Sequence, residues 1–197
     1  MAELNGADLN GAERIGANPA TRTLPLAGFH GGSAAAALSP AAPATRLSLR
    51  AKPDAVKALS DALGLALPVK PKTSTSANGR YALWLGPDEW LVIDENEADL
   101  MAAVCESGVM HSATDVSHRN TAILVKGRSA AVAINGGCPQ DLSLAAFPVG
   151  AASRTVCGKA EIVLLRTAED AFRVECWRSF SPYVSGLLSE AAEDAGN

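Results

Sequence analysis

Two short apolar runs, YALWL and WLVID, stand on either side of Gly86-Pro87-Asp88-Glu89. No other feature restricts the fold of this chain as much. Glycine, proline and aspartate supply turn conformations, so residues 81–85 and 90–94 read as an antiparallel hairpin. The flanking sequence gives the hairpin its setting. TRLSLRAK alternates Leu47 and Leu49 against polar neighbours, as a strand does. Pro53 suits a first helical turn, and Val56, Leu59 and Leu63 recur at helical spacing until Gly64 stops the run. KPKTSTSANGR reads as a polar loop, ENEADLMAAVCESG as a helix with acids in its first turn, and HSATDVS as a strand. The resulting order, β-α-β-β-α-β, is the split motif of ferredoxin-like units.

The second half resembles a looser copy of the first. TAILVKG is a strand, and RSAAVAINGG a short helix stopped by Asn135, Gly136 and Gly137. PQDLSLAAF makes a compact turn or short helix; SRTVC, AEIVLLRT and AFRVECW read as successive antiparallel strands. Ser181 is expected to cap, and Pro182 to open, a last helix through SPYVSGLLSEAAED. Strand runs mixed with helices, without strict alternation, define an α+β fold with mixed or antiparallel sheets. Residues 1–44 differ: rich in Ala, Gly, Asn and Pro, with Leu24, Leu26 and Phe29 as their notable apolar side chains, they read as a flexible arm. The expected organisation is an arm over 1–44 and a domain over 45–197, with subdomains of about 45–120 and 121–197.

Composition removes several function classes. A net charge of −4 implies neither nucleic acid nor anionic membrane as partner. No run reaches the roughly 20 apolar residues of a membrane span, and the acidic start MAELNGADLNGAERIG is unlike a secretion signal, so cytoplasm is the expected compartment. Cys105, Cys138, Cys157 and Cys176 form no C-x-x-C pair and are expected to act as small buried apolar residues. His30, His111 and His118 lack the spacing of a metal site. Asn135-Gly136-Gly137 ends a helix where a phosphate-binding loop would open one, and no dinucleotide or phosphate-loop motif is present.

The stretch DVSHRNTAILVKG holds the side chains of a hydrolase triad: Asp115, Ser117 and His118, followed by Arg119. On an extended strand Asp115 and Ser117 share a face about 7 Å apart, and His118 points elsewhere. A relay needs hydrogen-bonded contacts of roughly 2.6–3.2 Å, which neighbours on one strand do not supply. The cluster therefore reads as a strand end and turn with a structural or interface role, and neither catalytic nor metal residues are expected in this chain. Trp84 and Trp90 flank the hairpin turn, while Trp177, Phe180 and Tyr183 gather where the last strand meets the last helix. These aromatics are core anchors or interface hot spots.

LGPDEWLVI, DVSHRNTAILVKGRSA, GGCPQDLSLAAFPVG and WRSFSPYVSGLL, in this order from about Thr45 to Ala192, resemble the gamma subunit of heterotetrameric sarcosine oxidase. That family is itself similar to the folate-binding part of aminomethyltransferases, which implies two ferredoxin-like-type subdomains. The resemblance further implies a non-catalytic assembly subunit of a complex that oxidatively demethylates sarcosine to glycine. The products include hydrogen peroxide and formaldehyde, or methylenetetrahydrofolate. Partners would be the alpha, beta and delta subunits, which hold FAD, FMN, NAD, tetrahydrofolate and zinc, with no cofactor in this chain. Trp90, Asp115, Ser117, His118, Arg119, Arg178 and Phe180 are then candidates for interface or structural roles. The alternative is a stand-alone folate-binding protein of the aminomethyltransferase type.

Overall fold

The structure, a computed structural model, describes residues 24–196. The strands are β1 (Gly31–Ser33), β2 (Ala36–Pro40), β3 (Thr45–Ala51), β4 (Ser74–Ala77), β5 (Arg80–Gly86), β6 (Glu89–Asp94), β7 (His111–Asp115), β8 (Asn120–Lys126), β9 (Ala152–Cys157), β10 (Ala160–Ala168) and β11 (Ala171–Trp177). The α-helices are α1 (Val56–Leu63), α2 (Leu100–Cys105), α3 (Ala130–Asn135) and α4 (Ser181–Asp194). Five strands pair in the order β4-β5-β6-β3-β7 and six in the order β1-β2-β8-β11-β10-β9. Every pairing is antiparallel.

Period-two alternation sends the two faces of each sheet to different places. Leu47, Leu49, Trp90 and Val92 point to the helix side of the five-stranded sheet and form a core with Leu59, Leu63, Leu100 and Val104 of α1 and α2. Ile123, Ile162, Leu164, Phe172 and Val174 do the same under α3 and α4, with Ile134, Val184 and Leu188. Each fully buried aliphatic side chain of this kind contributes about 1.5–3 kcal/mol. The opposite faces meet each other through Leu83, Leu91, Ile93, Val116 and Leu165. The architecture is therefore helices, sheet, sheet, helices.

Read from one edge, the two sheets repeat each other: β4-β5-β6-β3-β7 corresponds to β9-β10-β11-β8-β2. Both follow the ferredoxin-like order with one hairpin strand added. In the first unit the strand flanking β3 is β7, which follows α2. In the second unit no strand follows α4 among the described residues, and the edge of β8 is paired instead with β2 from the N-terminal side.

That requirement accounts for the main departure from the sequence reading, in which residues 1–44 form a flexible arm. Ala36 and Leu38 on β2 are buried, and Leu26 and Phe29 pack on the same core. Gly127 marks where the arm passes: its φ is +130°, and a Cβ there would lie 2.3 Å from the Ala35 carbonyl oxygen. Only glycine tolerates both. Residues 1–23 lie outside the described residues.

Smaller differences have local causes. The stretch read as a polar loop contains β4, closed onto β5 by Asn78 and Gly79, both at positive φ. The helix read from residue 95 begins only at Leu100, where the Asp99 side chain accepts the Ala102 N–H at 2.9 Å. Glu95 and Glu97 thus precede the helix instead of occupying its first turn. Ser181 does not cap α4; its hydroxyl donates to the Arg178 carbonyl at 2.8 Å. Cys105 is exposed, whereas Cys138, Cys157 and Cys176 are buried. Burial, then the neighbouring Cys138, pushes the Cys157 thiol up to about 11. Burial, then Glu175, pushes Cys176 up to about 12, so both stay protonated and unreactive at neutral pH.

Candidate functional site

The turn from β7 into β8 carries the chain from one sheet to the other, and the triad-like letters sit on it. The Asp115 carboxylate accepts the Ser117 N–H at 2.8 Å, a local turn that extended neighbours on one strand cannot make. The Ser117 hydroxyl oxygen accepts the Arg46 N–H at 2.8 Å, and the Arg46 carbonyl accepts the Val116 N–H at 2.9 Å. The Val116 carbonyl in turn accepts the N–H groups of Arg119 and Asn120, at 3.0 and 2.9 Å. Ser117 therefore extends the β3 backbone pairing past the end of β7. His118 is exposed at the tip of the turn.

Asp115, Ser117, His118, Asn120 and Arg178 share one wall of a cleft of about 900 Å³. Leu24, Pro25, Leu26 and Pro40 to Ala44 supply its apolar lining, with Arg46 and Glu97 also at its border. The structure thus brings four of the seven candidate residues, Asp115, Ser117, His118 and Arg178, to one cleft. The sequence reading missed the cleft because its apolar lining comes from residues 24–44. The remaining three lie elsewhere. Arg119 and Phe180 flank the exposed ring of Trp177 outside the cleft. Trp90 is in the helix-side core, and its indole N–H donates to the Pro68 carbonyl at 2.7 Å. It is a structural anchor with no surface to offer a partner. Among the described residues, no three His, Cys, Asp or Glu side chains are grouped to hold a metal ion. No helix of the described residues is long and apolar enough to cross a membrane.

A buried chain of charges crosses between the sheets beside this turn. Glu175 accepts from Arg46 Nε at 2.7 Å, from Arg46 Nη2 at 3.2 Å and from Arg173 Nε at 2.8 Å. Arg173 Nη1 donates to Glu95 at 2.6 Å. Burial disfavours the Arg173 charge, yet Glu175 and Glu95 outweigh it and raise its pKa. No local pattern in the sequence singles these residues out; the stacking of two sheets makes Arg46, Arg173 and Glu175 internal, while Glu95 stays partly exposed.

Ser117→Ala removes the acceptor of a partly buried backbone N–H. The expected loss is about 1–3 kcal/mol of unfolding free energy, read by urea denaturation of the isolated chain.

Two antiparallel sheets of matching strand order, face to face with helices outside, define a class of paired α+β units. A solved aminomethyltransferase T of the glycine cleavage system from Bartonella henselae has this fold (TM-score 0.59, 17% identity, covering 78% of this chain and 45% of that one). Within that class the chain belongs to the sarcosine oxidase, gamma subunit family, whose model matches residues 48–194. The sarcosine oxidase subunit gamma of Corynebacterium sp. strain U-96 is 30% identical over 83% of this chain and 82% of its own length. That of strain P-1 is 31% identical over 77% of each chain. A chain of the solved heterotetrameric sarcosine oxidase from Corynebacterium sp. U-96 superposes with a TM-score of 0.78 at 28% identity, covering 82% of this chain and 86% of that one.

Proposed function

We propose that the chain is a non-catalytic subunit that braces a heterotetrameric sarcosine oxidase complex. Its partners in this reading are alpha, beta and delta subunits, which hold FAD, FMN, NAD, tetrahydrofolate and zinc. The complex oxidatively demethylates sarcosine to glycine, with formaldehyde or methylenetetrahydrofolate and hydrogen peroxide as further products. Family membership supports the subunit role. The observation that supports the non-catalytic part is Ser117: its hydroxyl accepts the Arg46 N–H of β3, and the Asp115 carboxylate accepts the Ser117 N–H, so both serve the strand end and its turn.

The cleft of about 900 Å³, with Asp115 on its wall, favours the second reading, a stand-alone folate-binding protein. The two separate cleanly. Purified alone, the chain is expected to show no flavin absorbance and no sarcosine turnover, and tetrahydrofolate titrated into it to give no heat. Co-expressed with the flavoprotein subunits, it should return them in fixed ratio. Micromolar tetrahydrofolate binding by the isolated chain would favour the second reading.

A further inference from the structure

The inner face of the six-stranded sheet is buried wherever the other sheet lies over it, and emerges where that cover ends. Arg173 and Glu175 are 2% and 1% exposed; Trp177, next on the same face of β11, is 39% exposed. Phe180 follows at 42%, its ring centroid 6.1 Å from that of Trp177 with the planes tilted at 51°. The Arg119 guanidinium lies over Trp177, 4.8 Å from the ring centroid. Arg119 makes no ion pair among the described residues; besides the Trp177 ring, its side chain meets Asn120 Oδ1 in a long hydrogen bond of 3.4 Å. Beside them a hollow of about 80 Å³ opens between the sheet ends, where Arg154 is already paired with Glu89.

We propose that Trp177, Phe180 and Arg119 form the docking point for an acidic segment of a partner subunit. An Asp or Glu of that segment pairs with Arg119, and an adjoining apolar side chain covers the two rings. This deepens the assembly role proposed above and rests on it. Charge complementarity selects the occupant: in a chain of net charge −4, this is an exposed cation without a carboxylate partner. A guanidinium held over an indole is already ordered, so pairing costs little further side-chain freedom. Trp and Arg are also the side chains on which interface energy concentrates.

The test is co-purification of the flavoprotein subunits with the full chain and its variants. Arg119→Glu and the pair Trp177→Ala/Phe180→Ala are expected to weaken recovery about tenfold or more. Arg119→Lys should retain most of it, and Val132→Ser, on the exposed face of α3, should change nothing. Arg119 and Val132 are exposed, so their isolated variants should melt within about 2 °C of the parent, whereas Trp177→Ala/Phe180→Ala, which truncates rings more than half buried, should melt somewhat lower while staying folded. If no subunit co-purifies with the parent chain, the assembly role fails and this surface with it. If the subunits co-purify equally with every variant, the role stands and the surface is wrong. A homodimer of the isolated chain that Trp177→Ala/Phe180→Ala dissociates in ultracentrifugation would assign the surface to a second copy and overturn the proposal.

Discussion

Glu175→Ala is expected to lower the unfolding free energy by about 3–5 kcal/mol, measured by urea denaturation followed by tryptophan fluorescence. Glu175 is the shared acceptor of Arg46 and Arg173, which are 3% and 2% exposed. Its removal leaves Arg46 with only the Ala44 carbonyl, at 3.1 Å, and Arg173 with only Glu95. At 1–3% exposure, solvent replaces little of the lost carboxylate, so the cost approaches that of an uncompensated buried charge and exceeds the worth of one hydrogen bond. Salt should barely change the result, because the group is not screened. A triple replacement, Arg46→Met, Arg173→Met and Glu175→Leu, is expected to recover most of the loss, since removing all three charges removes the desolvation penalty as well. A loss below 1 kcal/mol for Glu175→Ala would mean that water reaches the pair and that the sheets are not sealed there.

This network says what kind of contact joins the two units. Where Leu83, Leu91, Ile93 and Leu165 meet, the sheets are held by apolar area alone, which is indifferent to small sliding movements. The Arg46–Glu175–Arg173–Glu95 chain is directional and tolerates little sliding. It therefore sets the position of β3 against β11. Arg46 also donates its backbone N–H to Ser117, so the same register positions the β7–β8 turn and one wall of the cleft.

The local elements were largely readable. The hairpin at residues 80–94 was announced by Gly86-Pro87-Asp88-Glu89, and α1 by its spacing and by Gly64, which takes the left-handed conformation at its end. β4 was missed although Asn78-Gly79 is a strong hairpin signal, because the four residues before it are three short polar side chains and an alanine, with no alternation of large apolar residues. The strands β1 and β2 were not legible for a different reason. Their order comes from the open edge of β8, more than 80 residues along the chain, and nothing within GGSAAAALSP encodes that demand. The cleft and the inter-sheet charges share this origin: both are products of sheet stacking, and a strand such as AFRVECW looks the same whether its polar face meets water or another sheet.

Trp90→Ala is the other large effect expected, about 3–5 kcal/mol by the same urea measurement. Trp90 is 1% exposed in the core beneath α1 and α2, opposite Leu49 on β3 and Trp84 on β5. Truncation opens a cavity in a core built from leucine, valine and alanine side chains, which are too short to fill it. It also leaves the Pro68 carbonyl without its indole donor, so the 64–72 segment loses a tether and should be cut faster by protease. Trp90→Phe isolates the second term: most of the volume remains and the hydrogen bond goes, for about 1–2 kcal/mol. The comparison with Trp177 separates two roles that one residue type can serve. Trp90→Phe should lower stability and leave recovery of partner subunits unchanged, whereas Trp177→Ala/Phe180→Ala should lose recovery out of proportion to its smaller loss of stability. If Trp90→Phe instead weakened assembly at full stability, the hairpin core would have to be accessible to a partner, and the packing described here would be wrong.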